Sequence, residues 1–359
     1  MKKNHSRDSF ASRWGFILAC IGSAVGMGNI WMFPTRVSKF GGGSFLLAYF
    51  LFVFVIGFSG VIGEMAFGRA TRSGPIGAFS QAVASRGKNP KIGAAIGFIP
   101  VLGSLALAIG YSVVMGWILR YLVASLTGEV LAPTDIDGFS AMFGSTASPF
   151  GNNLYVILSL VIAFIIMAFG IASGIEKANK IMMPLFFLLF LGLAVYMFFQ
   201  PGAAEGYRYM FRIDPEAIRQ KETWVYALGQ AFFSLSLAGM TSLINLYEAP
   251  TATIQEKFGL SRPRAVLVIA AIGTVISVCI QGIVEGWMNF VSIYVCPLGA
   301  GLAGIMFYWV YGEKFVREQV QKGRMKPIGR WLEPMTKFVF CGLTIAVFIL
   351  GVLTPGGIG

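Results

Sequence analysis

The sequence GSAVGMGNIW, residues 22–31, lies in the middle of the first long apolar segment of this chain. A helix that crosses a bilayer must pair every backbone N–H and C=O group internally, so three glycines, a serine and an asparagine are costly at this depth. Unwound backbone is tolerated where its free polar groups face a cavity lined by protein, and there they can bind an ion or a zwitterion. The stretch therefore predicts a helix that is broken at a binding site.

The glycines of this stretch have a second interpretation, since small residues also let helices pack closely in membranes. Close packing does not call for Asn29 at mid-membrane depth, followed by Pro34 and three successive glycines at 41–43. The sequence therefore favours a site built from free backbone groups.

The composition is that of an integral membrane protein. Of the 359 residues, 56% are hydrophobic and 12% are charged, whereas a soluble domain carries about 25% charged residues. The apolar segments exceed the ~20 residues that a helix needs to cross the bilayer. We predict an all-α, multi-pass fold with nine spans, near residues 14–36, 44–68, 92–124, 152–172, 179–199, 224–250, 264–284, 287–312 and 334–354.

Basic residues are distributed unevenly between the predicted loops. With the N-terminus inside, the inner segments hold 20 Lys and Arg residues and the outer segments hold 6. By the positive-inside rule, this difference predicts a cytoplasmic N-terminus in the cell membrane. The basic residues of the inner loops thereby explain the net charge of +12. We expect the lipid bilayer as a partner and no nucleic acid.

The sequence offers little material for catalysis. His5 is the single histidine, and the four cysteines form no CxxC pair, so zinc or His-based acid–base chemistry is not supported. The sequence contains no evident pairing of a nucleophile with a base and no phosphate-binding loop. We predict that the protein is not an enzyme.

A second polar segment lies in residues 229–248. Ser234, Thr241, Asn245 and Glu248 fall near positions i, i+7, i+11 and i+14, which is one face of a helix. A single hydroxyl in a span commonly bonds a carbonyl of its own helix. For the whole set, we favour a face that lines a polar cavity, because ionisable and polar groups in spans turn away from lipid.

Two further residues are candidates for a role inside the membrane. Glu64 lies near the inner end of the second span, and a carboxylate there is either functional or links helices. We favour a structural anchor that pairs with freed backbone N–H groups over proton coupling. Tyr111 could direct its hydroxyl at a substrate carboxylate, and a packing role is equally well supported by the sequence.

Together, these strings closely resemble the neurotransmitter:sodium symporter family, whose bacterial members are LeuT-like amino-acid transporters. The resemblance covers nearly the whole chain. The matching strings are SRWGF (12–16), GSAVGMGNIWMFP (22–34), GGGSFLLAY (41–49), EMAFGR (64–69), GYSVVMGW (110–117), GIEKANKIMMP (174–184), GQAFFSLS (229–236), AGMTS (238–242) and LSRPRA (260–265).

The resemblance implies Na⁺ and an amino acid as ligands, and it assigns sodium roles to matching positions. It implies a second sodium site formed by Gly22, Val25, Ala238, Thr241 and Ser242. It implies a first sodium site of which this chain retains Ala24, Asn29 and Ser234. Tyr49, Gln230 and Ser234 match three positions of the chloride site of chloride-dependent members, and chloride dependence stays open.

The resemblance also implies the substrate pocket and a gate. The pocket would be lined by Ser23, Ala24, Gly26, Gly28, Leu107, Tyr111, Phe233 and Ser236. The Tyr111 hydroxyl would bind the substrate carboxylate. Arg7 and Glu256 would form the cytoplasmic gate pair.

The chain departs from the family pattern after residue 236. Family members have eleven or twelve spans, whereas we predict nine. The sixth-helix string SLSLAG continues directly into TSLINLYEAPTATIQEKFGLSR, which resembles the eighth helix. The inner part of helix six, helix seven and the start of helix eight are therefore expected to be missing, and with them the helix-seven asparagine of the first sodium site.

These features predict one transmembrane transporter domain over residues 1–359. Its first repeat would cover about 14–199, a truncated second repeat about 224–312, and an extra helix 334–354. The expected function is sodium-coupled symport of amino acids or related small zwitterions by alternating access, impaired by the deletion. The alternative is a non-transporting binding or regulatory paralogue, or an inactive remnant.

The deletion also predicts a change of local structure. The residues that follow Ser236 here can propagate a helix at the modest cost of one glycine, Gly239. We therefore predict one long, mostly continuous helix over residues 224–257, with Pro250 as its bend.

Overall fold

The computed structural model describes residues 10–24, 32–236 and 240–354. These residues form helices and short connections, and no β-strand occurs among them. The prediction of an all-α fold is confirmed. Its physical reason is that an apolar chain in hydrocarbon can satisfy its backbone polar groups within each segment only by forming helices.

The first half of the chain contains short helices between three long ones. In chain order the α-helices are α1 (Arg13–Ala24), α2 (Phe33–Lys39), α3 (Gly43–Ile56), α4 (Ile62–Thr71), α5 (Pro75–Ala84), α6 (Pro90–Thr127), α7 (Ile136–Ala147), α8 (Asn153–Ala168) and α9 (Glu176–Phe198).

The second half begins with two short helices that precede the sixth-helix string. The α-helices are α10 (Ala203–Phe211), α11 (Pro215–Arg219), α12 (Lys221–Ser236), α13 (Met240–Phe258), α14 (Arg262–Cys279), α15 (Val284–Phe290), α16 (Cys296–Gly304), α17 (Glu313–Gln321), α18 (Leu332–Pro334) and α19 (Cys341–Leu353). Wider π-type turns occupy Gly57–Val61, Ile171–Ile175, Val291–Val295, Ile305–Tyr311 and Met335–Phe340, and 3₁₀ turns occupy Glu129–Leu131 and Gln281–Ile283.

Six helical stretches of the described residues are long and apolar enough to cross a bilayer. They are Gly43–Thr71, Pro90–Thr127, Ile171–Phe198, Arg262–Cys279, Gln281–Tyr311 and Leu332–Leu353. Each corresponds to one of the nine predicted spans. Two other predicted spans correspond to the shorter apolar helices Arg13–Gly22 and Asn153–Ala168, and the span predicted at 224–250 is divided between α12 and α13. Helix length and apolarity thus support six spans, and the count of nine stays a prediction.

The chain forms two compact units. This division does not test the predicted repeat boundaries, which stay a prediction. Unit 1 takes Met1–Gly26, Leu105–Leu193 and Ala238–Met288, and unit 2 takes Met27–Ser104, Ala194–Leu237 and Asn289–Gly359. In unit 1, α13 packs against α1, α8 and α14, and α8 packs against α14. In unit 2, α3 packs along α12, and α16 packs along α19.

The core of unit 1 is organised around Tyr247, which α13 holds fully buried. The Tyr247 hydroxyl lies 3.0 Å from Ser112 Oγ on α6, and Ser277 of α14 contacts the same hydroxyl. The ring of Phe164 on α8 packs at a centroid distance of 4.8 Å. One buried phenol therefore fixes four helices against each other, with its polar atom satisfied by hydroxyl groups.

The core of unit 2 is a group of stacked aromatic rings. Phe67 of α4 packs against Phe307 at 5.3 Å and against Phe79 of α5 at 6.0 Å between ring centroids. The neighbouring Tyr308 donates a hydrogen bond to the Ser59 carbonyl in the π-type turn. A Cβ at Gly63 would overlap the Tyr308 hydroxyl, so a residue without a side chain is required where this hydroxyl reaches the helix backbone.

Two glycines four residues apart bring α5 against the beginning of α6. Gly93 and Gly97 share one face of α6. A Cβ at Gly93 would overlap the Phe79 carbonyl, and a Cβ at Gly97 would lie 2.7 Å from Ile76 Cα. Small residues with this spacing permit the backbone approach that is common between helices of membrane proteins. The contact fixes α5 in unit 2.

We predict that Gly93→Ala lowers the free energy of unfolding by about 2 kcal/mol, because the atom that the new methyl meets belongs to the backbone and cannot rotate away. Thermal unfolding in detergent, followed by circular dichroism, measures the change. The matched control is Gly192→Ala on α9, where a Cβ would meet no atom within 4 Å. Equal melting temperatures of the two variants would contradict this packing.

Candidate functional site

The helices that carry the predicted second sodium site pack against each other within unit 1. Gly22 is buried on the last turn of α1. Ser242, on the first turn of α13, is 2% exposed. Because α1 packs on α13, a buried backbone position and a buried hydroxyl lie on adjacent helices. Both groups provide neutral oxygen atoms, which are the ligands that a hard cation prefers.

Two residues of the predicted substrate pocket lie one turn apart on α6. Leu107 is 2% exposed and Tyr111 is 1% exposed, and their spacing of four residues places them on one helix face. The next residue, Ser112, donates to the Ala108 carbonyl at 2.8 Å and contacts Tyr247. The rotation of α6 is therefore fixed directly beside Tyr111.

Most other predicted site residues cannot be placed. Arg7, Val25, Gly26, Gly28, Asn29 and Ala238 lie outside the described residues. Ser23, Ala24, Phe233, Ser234, Ser236 and Thr241 lie on described helices, and their side chains are outside the description. Glu256 is exposed in the last turns of α13. The roles assigned to these residues stay predictions.

The predicted continuous helix over 224–257 also falls partly outside the description. Helix α12 ends at Ser236 and α13 begins at Met240. The three residues between these helices are outside the described residues. Pro250 is internal to α13, which continues to Phe258. The single continuous helix over 224–257 therefore stays a prediction.

Glu64 has an exposed side chain on α4 and borders a small cavity in unit 2. The cavity has a volume of about 10 Å³, and Gly60, Gly63, Phe67 and Tyr308 also line it. A volume of this size accommodates about one water molecule. The carboxylate has no hydrogen bond or ion pair among the described residues, so its role as an anchor for backbone N–H groups stays a prediction.

Glu248 has a charged partner on another helix, and its predicted place on a face that lines a polar cavity stays a prediction. Its carboxylate forms a bidentate pair with Arg262 of α14, with Oε1 at 2.9 Å from Nη1 and Oε2 at 2.6 Å from Nη2. Arg262 Nε also donates to the Met167 carbonyl of α8 at 2.8 Å. In the sequence, Arg262 is recognisable only as one of the basic residues of an inner loop. This bidentate partner neutralises the carboxylate with two charge-assisted hydrogen bonds.

An acidic contact that the sequence motifs did not predict holds the beginning of α1. Glu176, the first residue of α9, is 1% exposed. Its Oε2 accepts a hydrogen bond from Ala11 N at 2.6 Å, and its Oε1 accepts from Ser12 Oγ at 2.6 Å and from Lys180 Nζ at 2.7 Å. A Cβ at Gly15 would overlap the Glu176 side chain. We name this arrangement the Glu176 clamp.

A local signal for the clamp was present in the sequence. Glu176 precedes Lys180 by four residues at the start of a helix, which is the favourable order for an ion pair and for the helix dipole. That signal predicts a capped helix start. It does not identify the partner, because Ala11 and Ser12 are distant along the chain.

A model of the sodium:neurotransmitter symporter family matches residues 7–134 and 141–248 of this chain. A protein of Haemophilus influenzae, named an uncharacterized sodium-dependent transporter, is 31% identical over 250 residues, which are 68% of this chain and 54% of that protein. The chain therefore spans only about half the length of this relative.

A longer alignment and a solved structure extend the comparison. An uncharacterized sodium-dependent transporter of Methanocaldococcus jannaschii is 26% identical over 462 positions, covering 98% of this chain and 92% of that protein. Since the chain has 359 residues, more than a hundred aligned positions contain no residue of it. The crystal structure of MhsT in complex with L-phenylalanine has the same fold, with a TM-score of 0.80, 24% identity, and coverage of 96% of this chain and 99% of that chain.

We predict that Glu176→Ala lowers the melting temperature by several degrees and speeds hydrogen exchange of the first amides of α1. Both effects follow because the variant removes three charge-assisted acceptor contacts at a buried position. Differential scanning fluorimetry and mass-spectrometric hydrogen exchange measure them.

The control for this prediction is Glu205→Ala, an exposed glutamate of α10. It removes the same charge and has no ion pair among the described residues. If exchange at the start of α1 is equal in the two variants, the clamp does not hold this helix.

Proposed function

Because this chain belongs to the sodium:neurotransmitter symporter family, we propose that it carries an amino acid or a related small zwitterion across the membrane together with Na⁺. The family is one of sodium-coupled transporters and not of enzymes. The observation that carries the proposal is the packing of α1 against α13 in unit 1. These two helices, with the residues next to them, contain all the residues of the proposed second sodium site.

The proposed second sodium site uses only neutral oxygen donors. The carbonyls of Gly22, Val25 and Ala238 and the hydroxyls of Thr241 and Ser242 would bind the cation. Oxygen donors without formal charge suit a weakly charged hard cation such as Na⁺. The burial of Ser242 on the helix that packs against α1 supports this role, because a cation between the two helices would be shielded from bulk water.

The proposed substrate pocket would be lined by Ser23, Ala24, Gly26, Gly28, Leu107, Tyr111, Phe233 and Ser236. The buried Tyr111 hydroxyl would donate a hydrogen bond to the substrate carboxylate, and free backbone N–H groups near residues 26–28 would bind the same group. The L-phenylalanine in the MhsT complex supports an α-amino acid as the substrate class.

The first sodium site would be incomplete. Ala24, Asn29 and Ser234 are its remaining protein ligands in this chain, and the helix-seven asparagine has no counterpart. The positions of the archaeal relative that have no residue here support this view. Coupling between Na⁺ and substrate would then rest mainly on the second site.

Two observations favour a second candidate function, a non-transporting binding or regulatory paralogue or an inactive remnant. One is the set of more than a hundred aligned positions that this chain lacks. The other concerns Ile171–Phe198, where 6% of the apolar window is buried, against 28% to 39% in the other five spans. A span with so few protein contacts fits a bundle that lacks helices.

The proposed location is the plasma membrane, with the N-terminus in the cytoplasm. The ratio of 20 inner to 6 outer basic residues supports this orientation. Arg7 and Glu256, which is exposed in the last turns of α13, would then form a gate on the cytoplasmic side.

Uptake and binding assays separate the two candidate functions. The purified chain is reconstituted in proteoliposomes, and uptake of tritiated L-phenylalanine and L-alanine is measured with and without an inward Na⁺ gradient. Uptake that requires the gradient supports a symporter. Na⁺-dependent binding in detergent without uptake supports a non-transporting paralogue, and the absence of both supports a remnant.

We predict that Thr241→Ala combined with Ser242→Ala abolishes the thermal stabilisation of the protein by Na⁺, because two of the five proposed oxygen ligands are removed. The melting temperature in NaCl is compared with that in choline chloride. The control is Ser125→Ala with Thr127→Ala, since these hydroxyls donate to carbonyls of their own helix. Equal stabilisation of the parent and the site variant by Na⁺ would show that the site is wrongly assigned.

We also predict that Na⁺ titration of the parent chain gives a Hill coefficient near one, because the first sodium site is too poor in ligands to bind alone. Stabilisation measured by scanning fluorimetry over a range of NaCl at constant ionic strength provides the isotherm. A clearly cooperative isotherm for two ions would contradict this expectation.

A further inference from the structure

Two loops of unit 2 carry a surplus of positive charge at one end of its spans. The first follows α4 and ends where α6 begins, and the second, residues 312–331, joins Tyr311 to α18. Arg86 of the first loop donates to the Trp309 and Val310 carbonyls, at the end of the span that precedes the second loop. Arg69 on α4 donates to the Gln319 carbonyl within the second loop. Apart from Arg86 and the ion-paired Lys322, the exposed cations of these two loops, together with Lys91 on the first turn of α6, form what we call the basic face. It consists of Arg72, Lys88, Lys91, Lys314, Arg324, Lys326 and Arg330.

The cations of the basic face are not neutralised by the protein. Residues 72–91 contain no Asp or Glu. The glutamates of the second loop are already occupied, because Glu313 pairs with Lys337 at 2.6 Å and Glu318 pairs with Lys322 at 3.7 Å. The hydrogen bond from Lys337 lowers the pKa of Glu313 below its ordinary value. None of the seven basic-face cations has an ion pair among the described residues.

The tip of the second loop is held in a defined shape by Gln321. Its Nε2 donates to the carbonyls of Arg324 at 3.3 Å and Lys326 at 3.2 Å, and its Oε1 accepts from Ile328 N at 2.9 Å. Ile328 is 5% exposed and anchors the loop in the core of unit 2. Met325, between the two basic residues, is fully exposed at 102%. The side-chain amide of Gln321 thus holds the loop in a shape that leaves Met325 exposed to solvent between Arg324 and Lys326.

An apolar tip flanked by cations matches a membrane surface better than it matches water. Insertion of an apolar side chain into the membrane–water interface lowers the free energy, and Lys and Arg are attracted to anionic headgroups. Trp309 and Trp331, which border the same loop, are 46% and 41% exposed, and tryptophan is typical of membrane–water interfaces. An acidic protein segment would account for the cations and would leave Met325 unexplained.

We propose that the basic face binds the phosphate groups of anionic phospholipids in the adjacent leaflet, with Met325 inserted between the headgroups. The loop that begins at Gly312 ends at Leu332, the first residue of a span, so Met325 lies close in sequence to the bilayer. The proposal does not depend on transport, because it concerns the loops of unit 2 alone.

The test measures the melting temperature of the full chain in mixed micelles that contain phosphatidylcholine or phosphatidylglycerol. Phosphatidylglycerol is expected to stabilise the parent, and Arg324→Gln with Lys326→Gln is expected to lose at least half of that shift. The matched control is Arg208→Gln with Arg212→Gln, which removes two exposed cations from α10 and the residue after it in the same unit and is expected to keep the full shift. Equal shifts in the parent and the loop variant would overturn the proposal.

A second measurement tests insertion directly. Met325→Cys, in a background with the four native cysteines replaced by serine, is labelled with bimane and placed in vesicles. Brominated lipids are expected to quench the label in phosphatidylglycerol vesicles more than in phosphatidylcholine vesicles. The proposal fails if iodide in water quenches the label equally in both. It also fails if inorganic phosphate or a soluble polyglutamate reproduces the stabilisation in phosphatidylcholine, because the partner would then be a free anion or an acidic protein.

Discussion

The pairing of backbone polar groups inside the bilayer is the constraint on which the rest of this structure depends. In hydrocarbon, each unpaired N–H or C=O group costs several kcal/mol, so the long apolar segments form helices such as α6 and the stretch Gly43–Thr71. One deviation from the α-helix occurs where another group takes over a carbonyl. In the π-type turn at Gly57–Val61, the Ser59 carbonyl accepts the Tyr308 hydroxyl, and the missing side chain of Gly63 makes room for it.

The same constraint explains how charges are distributed. Within the bundle of unit 1, each buried or half-buried charge that the structure describes has a partner of opposite charge. Glu176 has Lys180 together with the beginning of α1, and Glu248 has Arg262. A buried charge without such a partner destabilises a fold strongly. At the loop end of unit 2, the cations of the basic face remain exposed and unpaired, because water or lipid headgroups can solvate them there.

Both acidic contacts also explain how the site helices are held. The Glu176 clamp fixes the beginning of α1, and the pair between Glu248 and Arg262 fixes α13 against α14 and α8. These are the helices that carry the proposed second sodium site. A site made of neutral oxygen atoms binds weakly unless its donors are already in position. The charged contacts hold together the helices on which the proposed donors lie.

The sequence by itself determined the properties that depend on neighbouring residues along the chain. Apolar segment length predicted the all-α fold and six spans that the structure supports, and the motif strings predicted the family. Leu107 and Tyr111 are buried on one face of α6, and their place in a pocket stays a prediction, as do the roles of the site residues that lie beyond what the structure describes. The tertiary structure alone decided the partners of Glu176, Glu248 and Gln321. Those contacts depend on which helices pack together and on how each helix is rotated about its axis. The hydrophobic pattern and the local spacing of residues carry no information about either.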